Sequence, residues 1–297
     1  MTKKLLVLAG LPRGGEDTWS SIYKFLLERH DADLAICCEK GLLKNTSLVK
    51  KADYIWDFEP FEDWSDYYKQ NKLEKALNYL SKGKNTGLEN SGIAVFGLKH
   101  MILKNYIDVL NRYDQIYYSR LDQLHIDYHP DLDINYCWFV EGEDYGGIND
   151  RHFIFPSNLS KKILNVCEYI NSEKALSEIP DFPNCEAVWL KYLESNNIDK
   201  KIKRFKRTHF TVSKDGDFTR WRIARYNLFL FKNLKIKYPS EFLDSSKNLI
   251  SKYGLSLSFK RAPIILINYY FLILRSFISR FLPRSLKNTL KKLFNIY

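Results

Sequence analysis

Short apolar runs alternate with amphipathic stretches over the first two thirds of the chain. Strands are predicted where an apolar run is short and bounded by polar or turn-forming residues, at 4–9, 32–38, 52–56, 116–118, 152–155 and 209–212. Helices are predicted where apolar residues recur every three or four positions, at 94–110, 159–171 and 187–193. This alternation has a βαβ rhythm and predicts an α/β fold.

The segment from Ser245 to Tyr297 has a different pattern. Its longest uncharged apolar stretch, 262–274, is too short to span a bilayer, which needs about 20 residues. Beyond it, apolar residues recur at helical spacing opposite lysines and arginines, which is typical of helices lying at the surface of an anionic membrane. Pro283 is expected to break this pattern into two helices. We therefore predict a catalytic domain at 1–244 and a basic, amphipathic, membrane-associating helical tail at 245–297; the alternative is a helical pair packed on the body.

The charge of the chain is concentrated in that tail. Of the net charge of +11, the segment 245–297 carries ten Lys or Arg and no Asp or Glu, which leaves 11 − 10 = +1 for residues 1–244. An anionic partner is therefore expected at the tail. No nucleic acid is expected, because the charge is not spread over aromatic strands. The basic run 200–207, KKIKRFKR, is interpreted as a solvated edge, with a nucleic-acid or phosphate contact as the alternative.

Composition places the chain among globular proteins of a reducing compartment. Hydrophobic residues make up 45% and aromatic residues 15% of 297 positions. The five cysteines are dispersed, without a CxxC pair or metal-binding spacing, which favours a reduced, cytoplasmic location. The apolar run from Leu5 to Ala9 is too short for a signal peptide and is interpreted as the first strand.

Two candidate sites follow predicted strands. The loop Gly10-Leu-Pro-Arg-Gly-Gly15 after the first strand lacks the P-loop and GxGxxG patterns, but its backbone N–H groups and Arg13 suit a diphosphate. After the strand at 116–118, Arg120 and Asp122 are two positions apart and are expected to point into one crevice at the carboxyl end of the sheet. Each site has a purely structural alternative. For the loop after the first strand it is a tight turn with a solvated arginine, and for Arg120 and Asp122 it is an Arg–Asp salt bridge.

The densest group of polar residues is the stretch from Gly142 to Pro156, GEDYGGINDRHFIFP. Gly146 and Gly147 predict a tight bend that brings the following Asn-Asp-Arg segment to an exposed edge, directly before a buried strand. A charged loop joined to a strand is where α/β proteins commonly place their chemistry. A capped surface turn with solvated acids is the alternative.

Three groups of motifs together resemble a known family. They are LAGLPRGGEDTWSSI near the N-terminus, YYSRLDQLHID with EDYGGINDRHFIFP in the middle, and EAVWLKYLESNNI with FTVSKDGDFTRW later. In this order they resemble bacterial surface-polysaccharide glycosyltransferases of the WavE lipopolysaccharide-synthesis type. The resemblance covers residues 3 to about 222. It implies a glycosyltransferase A-type fold, in which a nucleotide-sugar lies over the carboxyl edge of a Rossmann-like mixed sheet flanked by helices.

The resemblance also implies roles for individual residues. Donor nucleotide contacts fall on Arg13, Gly14, Arg120 and Asp122. Acceptor or sugar contacts fall on Gly146, Gly147, Asn149 and Arg151. The base that deprotonates the acceptor hydroxyl is Asp150, or else Glu143 or Asp144.

The metal dependence of such an enzyme is left open by the sequence. Many relatives have Asp-x-Asp for a divalent cation, whereas this chain has Asp122-Gln123-Leu124. Either Mn²⁺ or Mg²⁺ on Asp122, or Arg13 or Arg120, would neutralise the leaving diphosphate. The partners implied are a nucleotide-sugar donor, a glycan or lipid-linked acceptor, and the inner face of the cytoplasmic membrane. A catalytically inactive, glycan-binding relative is the alternative, and a basic nucleic-acid-binding protein is a weaker one.

Overall fold

The computed structural model describes residues 2–81, 91–179, 184–217, 226–228 and 234–281. The chain forms two compact units, each built from three segments. Unit 1 comprises Met1–Pro12, His30–Leu121 and Pro130–Phe205. Unit 2 comprises Arg13–Arg29, Asp122–His129 and Lys206–Tyr297.

The strands and helices below belong to the described residues and are numbered in chain order. The strands are β1 Lys4–Ala9, β2 Asp33–Glu39, β3 Tyr54–Phe58, β4 Gln115–Arg120, β5 Gln123–His125, β6 Cys137–Val140, β7 His152–Pro156, β8 Ile202–Phe205, β9 His209–Lys214, β10 Tyr226–Asn227 and β11 Leu234–Ile236. The helices are α1 Gly15–Ile22, α2 Glu28–His30, α3 Ser47–Lys51, α4 Trp64–Gln70, α5 Glu74–Ser81, α6 Ser91–Leu110, α7 Ser160–Leu164, α8 Val166–Ile170, α9 Glu173–Glu178, α10 Cys185–Ser195, α11 Pro239–Arg261 and α12 Pro263–Phe281.

Unit 1 contains the predicted mixed sheet flanked by helices. Its seven strands have the order β3-β2-β1-β4-β7-β6-β8. The first four run parallel to one another, β7 runs antiparallel to both β4 and β6, and β8 runs parallel to β6. The parallel strands are apolar on both faces, as in β1, where the run from Leu5 to Leu8 is fully buried. The α/β prediction is therefore confirmed.

Unit 2 contains a smaller antiparallel sheet with the order β10-β11-β9-β5. Helix α11 packs on β9, where the Phe210 and Phe242 rings meet edge to face with centroids 5.0 Å apart. Beside them, buried Arg207 and buried Glu241 form an ion pair of 3.2 Å. The prediction that the basic run 200–207 is a solvated edge is therefore wrong for Arg207, whose charge is compensated inside the unit.

The stretch predicted as one helix over 159–171 forms two short helices instead. Helix α7 ends and α8 begins at Asn165, whose ψ of 37° is not helical. The Asn165 side-chain amide donates a hydrogen bond of 2.6 Å to the Glu168 carboxylate. Asparagine commonly interrupts helices because its side chain competes locally with the backbone for hydrogen bonds.

The C-terminal helices expose a continuous series of apolar side chains. Ile265 and Leu266 of α12 are buried in the unit 2 core. Large apolar side chains on the solvent side of α12 are Ile267, Tyr270, Phe271, Ile273, Leu274 and Phe277. The predicted domain boundary at 244/245 falls within α11. The predicted break at Pro283 and the motif residues Phe218–Trp221 lie outside the described residues.

Within the described ranges, no one helix has both the length and the apolar composition needed to cross a bilayer. Two consecutive helical segments are long and apolar enough only when they are taken together, Pro239–Arg261 and Pro263–Phe277. The chain bends by 113° at the break between them.

Candidate active site

The acid-rich loop connects β6 to β7 in unit 1 and is built from left-handed residues. Positive φ angles occur at Gly142 (84°), Glu143 (57°), Tyr145 (48°) and Gly146 (80°). The predicted bend is closed by a hydrogen bond of 2.7 Å from the Gly147 N–H to the Asp144 carbonyl oxygen. Non-glycine residues adopt this conformation at a cost, so the surrounding contacts must hold the loop in place.

Asn149 supplies many of those contacts from inside the loop. Its backbone N–H donates to the Asp144 carboxylate at 2.9 Å, and its side-chain amide donates to the Gly142 carbonyl oxygen at 3.1 Å. Its side-chain oxygen accepts from the Arg151 N–H at 3.0 Å. Asn149 is fully buried. We therefore assign it to shaping the loop, whereas the sequence predicted an acceptor contact.

Three other predicted site residues are also tied to the loop. Asp144 forms an ion pair of 2.9 Å with Arg204, and Glu143 accepts a hydrogen bond from the Tyr145 hydroxyl. Arg151 donates to the Glu143 carbonyl oxygen at 3.2 Å, and its guanidinium lies 5.8 Å from the centre of the Tyr145 ring. Of the three candidate bases, Asp144 and Glu143 thus already bind loop neighbours, which favours Asp150.

Asp150 faces a lysine in the interior of unit 1. The Lys99 Nζ, from α6, lies 3.8 Å from Asp150 Oδ2, and the Lys99 side chain is completely buried. Its ammonium group lies 3.5 Å from the centre of the Trp189 ring, a cation–π contact. Among the described residues it makes no hydrogen bond. Burial lowers the pKa of Lys99, and the charge of Asp150 opposes that shift.

A second carboxylate, Glu186, belongs to the same group. The pKa of Glu186 is raised to about 7, chiefly by burial and also by the negative charge of Asp150, while Arg151 and Lys99 act in the opposite direction. The Glu186 carbonyl oxygen accepts a hydrogen bond of 3.2 Å from the N–H of Ile148 in the loop. Asp150, Glu186 and Lys99 therefore form one group of two carboxylates and one amine in the interior of unit 1.

Gly147 lets the loop lie directly on the first turn of α10. A Cβ at position 147 would stand 2.1 Å from the Glu186 carbonyl group and 2.2 Å from the Ala187 nitrogen. The start of α10 is itself fixed by Asn184, whose side chain accepts from the Ala187 N–H at 2.8 Å and donates to the Tyr145 carbonyl oxygen at 2.8 Å. The absence of a side chain at 147 thus brings Glu186 beside the loop.

Arg120 places this group at the edge of the sheet where ligands bind in open α/β folds. It is the last residue of β4 and pairs in register with Ala9, the last residue of β1. Because β2 lies on one side of β1 and β4 on the other, the carboxyl ends of β1 and β4 form a topological switch point. The Arg120 N–H donates to the Arg151 carbonyl oxygen at 3.2 Å. The structure therefore brings Arg120 and the acid-rich loop together.

The remaining predicted residues lie in unit 2. Arg13 and Asp122 approach to 3.7 Å, and their side chains are only 13% and 2% exposed, so the salt bridge offered as the alternative is present. Gly14, with φ of 80°, precedes α1, and its N–H donates to the Asp217 carboxylate at 2.9 Å. A Cβ on Gly14 would stand 2.4 Å from the Thr18 hydroxyl oxygen.

The surroundings of Asp122 do not fit a divalent cation. Across the described ranges there is no group of three or more His, Cys, Asp or Glu side chains placed to hold a metal ion. The charged neighbour of Asp122 is a guanidinium, which repels a cation, whereas Mg²⁺ and Mn²⁺ favour several oxygen ligands. No chemical step is therefore assigned to a metal.

Sequence reasoning missed Lys99 and did not give Glu186 a chemical role. Lys99 follows Leu98 on the apolar stripe predicted for the helix at 94–110. A lysine next to such a stripe could have indicated a buried ion pair, because lysine is rarely buried unless it is paired with an acid. Glu186 lies in the first turn of α10, where an acidic residue is common because it interacts favourably with the helix dipole. Its proximity to Asp150 depends on the fold.

No protein-family model matches the chain, and no curated protein sequence matches it either. Among solved structures, the chain is similar to mouse xyloside xylosyltransferase 1 in its apo form. The two share 8% identity with a TM-score of 0.40, over 69% of this chain and 85% of that one.

Proposed function

We propose that the chain is a glycosyltransferase of A-type fold that moves a sugar from a nucleotide-sugar donor to an acceptor hydroxyl. The observation that carries the proposal is the group formed by Asp150, Glu186 and buried Lys99, beside Arg120 at the switch point of the sheet. A base next to a cation is what this reaction needs, since a proton must be removed from the acceptor while negative charge develops on the leaving diphosphate.

The proposed step is a displacement at the anomeric carbon of the donor sugar. The acceptor oxygen forms a bond to that carbon while the bond from the carbon to the diphosphate oxygen breaks. The acceptor proton passes to the carboxylate of Asp150, which has the Glu186 carboxylate beside it. The diphosphate leaves with the bonding electrons, and Arg120 lowers the energy of its charge. Arg13, Gly14 and Asp122 stay predicted contacts of the donor nucleotide, from their positions in the sequence.

The pKa of Glu186 supports its use near neutral pH. A general base is most effective when its pKa lies near the working pH. Burial raises the pKa of Glu186 to about 7. Lys99 lies beside both carboxylates, and its charge acts to lower the pKa of Glu186.

The finer features of the function rest on the sequence and on the exposed face of α12. We propose a lipid-linked glycan of surface polysaccharide or lipopolysaccharide synthesis as acceptor, and a peripheral position on the cytoplasmic face of the membrane. The exposed apolar side chains of α12 and the ten cations of 245–297 suit an anionic lipid surface. A divalent cation stays a prediction of the resemblance, and retention of activity in chelator would remove it.

The test is an assay of donor hydrolysis and sugar transfer across a panel of nucleotide-sugars. Asp150→Asn is expected to lower kcat by about 100-fold or more, because removing a general base typically costs 10²–10⁴-fold. The matched control is Glu194→Gln, which removes an exposed acid from the same helix as Glu186. Absence of turnover and of donor binding for the unaltered protein, or equal rates for Asp150→Asn and Glu194→Gln, would overturn the proposal.

A second candidate is a relative that binds a nucleotide-sugar or glycan without catalysing transfer. The observation in its favour is the Arg13–Asp122 ion pair, which places a guanidinium where many related enzymes hold a metal. Calorimetric binding of a nucleotide-sugar, together with no turnover in chelator or in Mn²⁺, would support this candidate over an active enzyme.

A further inference from the structure

Unit 2 contains a cavity of about 260 Å³ that the proposed function does not use. It lies between the segment before β9 and one side of α11, next to Asp127, which follows β5. Side chains that matter for its chemistry are Asp127, Lys206, Thr208, Asn248, Ser251 and Lys252. At about 30 Å³ per water molecule, the space holds roughly nine waters, which is ample for a phosphate or a diphosphate group.

The charges around the cavity favour an anion. Lys206 and Lys252 both line it and are exposed, and the charge of Arg207 is already balanced by buried Glu241. The one acid, Asp127, is also compensated, because it accepts hydrogen bonds from Lys252 at 2.6 Å and from the Tyr253 hydroxyl at 3.0 Å. The lining therefore has a net positive charge, with Lys206 as its uncompensated cation.

The position of Lys252 is set before any ligand arrives. Burial acts to lower the pKa of Lys252, but its hydrogen bond and ion pair with Asp127 outweigh burial, so the pKa lies above the ordinary value. Its ammonium is thus charged and held at the wall of the cavity, with two further donor hydrogens. A preorganised cation binds an anion with less loss of side-chain entropy than a free lysine.

Hydroxyl and amide groups complete the wall. The Thr208 hydroxyl is shielded from solvent and makes no hydrogen bond with any described residue. A buried hydroxyl without a partner is costly, and an anionic oxygen entering the cavity would relieve that cost after a small side-chain rotation. The Asn248 amide donates to the Arg207 carbonyl oxygen at 3.1 Å, which ties α11 to the segment that carries Lys206 and Thr208.

We propose that this cavity binds the phosphate of a phosphomonoester or diphosphate ligand, through Lys206, Lys252 and the Thr208 hydroxyl. Two ammonium groups and a hydroxyl match the several acceptor oxygens of a phosphate better than the two oxygens of a carboxylate. The phosphate belongs either to a soluble compound or to a lipid headgroup. The proposal does not depend on glycosyl transfer, since none of these residues is part of the Asp150 group.

The test uses the full-length protein and two probes. Calorimetry with inorganic pyrophosphate measures binding of a free phosphate compound. Co-sedimentation with phosphatidylcholine vesicles containing phosphatidic acid, compared with vesicles containing phosphatidylserine at matched total charge, measures recognition of a lipid phosphomonoester. The test variants are Lys206→Gln and Thr208→Val. The matched control is Lys247→Gln, which removes an exposed charge from α11 that does not line the cavity.

Lys206→Gln is expected to weaken pyrophosphate binding about tenfold, the usual effect of one charge-assisted hydrogen bond, and Thr208→Val severalfold. Lys247→Gln is expected to change binding less than twofold. A preference for phosphatidic acid that Lys206→Gln abolishes assigns the cavity to a lipid headgroup, and pyrophosphate binding without that preference assigns it to a soluble phosphate. Neither pyrophosphate binding nor a phosphatidic acid preference, or equal losses in Lys206→Gln and Lys247→Gln, would overturn the proposal.

Discussion

At the scale of single residues, the most informative side chain is Lys99. An ammonium group is costly to bury, and the complete burial of Lys99 lowers its pKa, while the neighbouring Asp150 opposes that shift. Asp150 at 3.8 Å and the Trp189 ring at 3.5 Å provide the compensation. The dependence is mutual, because the positive charge also lowers the pKa of Glu186.

Replacing Lys99 with methionine should therefore shift the titration of Glu186. Methionine keeps most of the side-chain volume but removes the charge that favours the ionised carboxylate, so the pKa of Glu186 should rise. NMR titration of ¹³C-labelled glutamate measures this directly, and the acidic limb of the kcat/KM profile should move the same way. Lys104→Met, on the exposed side of the same helix, should leave both unchanged. Identical titrations for the two variants would contradict the assigned role of Lys99.

The raised pKa of Glu186 also predicts how stability depends on pH. Burial raises its pKa from 4.5 to about 7, so the folded state binds more protons than the unfolded state between these values. The resulting stabilisation is present below about pH 4.5 and is lost as the pH rises through 7. Glu186→Gln mimics the protonated form and should be more stable than the unaltered protein at pH 8 by roughly 2–3 kcal/mol. Urea unfolding at pH 5 and pH 8 checks this, and a difference that does not grow with pH would refute it.

At the scale of secondary structure, the contact between the acid-rich loop and α10 depends on Gly147. A methyl group there would meet backbone atoms at 2.1 Å, which side-chain rotation cannot relieve. Gly147→Ala should therefore cost about 3 kcal/mol in the free energy of unfolding and should separate Glu186 from Asp150, returning the pKa of Glu186 toward its ordinary value.

The neighbouring glycine is the control for that prediction. A Cβ on Gly146 would meet no atom within 4 Å, although its φ is +80°. Gly146→Ala should cost only about 1 kcal/mol, from backbone strain alone, and should leave the titration of Glu186 unaltered. Denaturant unfolding and NMR titration of both variants check the pair. Equal effects at the two positions would mean that strain in the loop, and not its contact with α10, explains the loss.

Much of the sheet was predictable because its signals are local. The apolar runs at 4–9 and 116–118 are short and end at Gly10 and at Ser119, so β1 and β4 were expected from the sequence pattern alone. The meeting of Arg120 with the acid-rich loop did not follow from local signals, because the loop precedes β7 and lies at the carboxyl end of β4 only since these two strands run antiparallel. The hydrogen bond from the Arg120 N–H to the Arg151 carbonyl oxygen joins the two.

The electrostatic partners were not predictable, because they come from distant parts of the chain. Lys99 is buried by Trp189 and compensated by Asp150, and neither is near it in sequence. Arg207 was placed with a solvated basic run, yet Glu241 compensates its charge inside unit 2. In both cases a charged residue is buried only because the fold supplies an acid, and helical or strand periodicity contains no information about that acid.

At the scale of the whole molecule, the distribution of charge and exposed apolar surface separates the C-terminal segment from the rest. Residues 245–297 have ten cations and no acid, against a net charge of +1 for residues 1–244. Solvent-facing apolar side chains follow one another along α12, including Phe271 at 50% and Leu274 at 56% exposure. A patch of this kind is unusual on a soluble monomer and is typical of a surface that contacts a membrane or another protein.

The membrane interpretation makes a specific prediction for that patch. Phe271→Ser combined with Leu274→Ser should weaken binding to anionic vesicles about tenfold or more, because each side chain contributes roughly 1 kcal/mol when its exposed half enters the lipid. Vesicle flotation at low and high salt measures the binding, and salt should weaken the remaining electrostatic attraction. Leu42→Ser, which removes an exposed leucine from unit 1, is the control. Because the substituted side chains already face solvent, thermal unfolding should be nearly unchanged, and vesicle binding equal to that of the unaltered protein would exclude this face of α12 as the membrane contact.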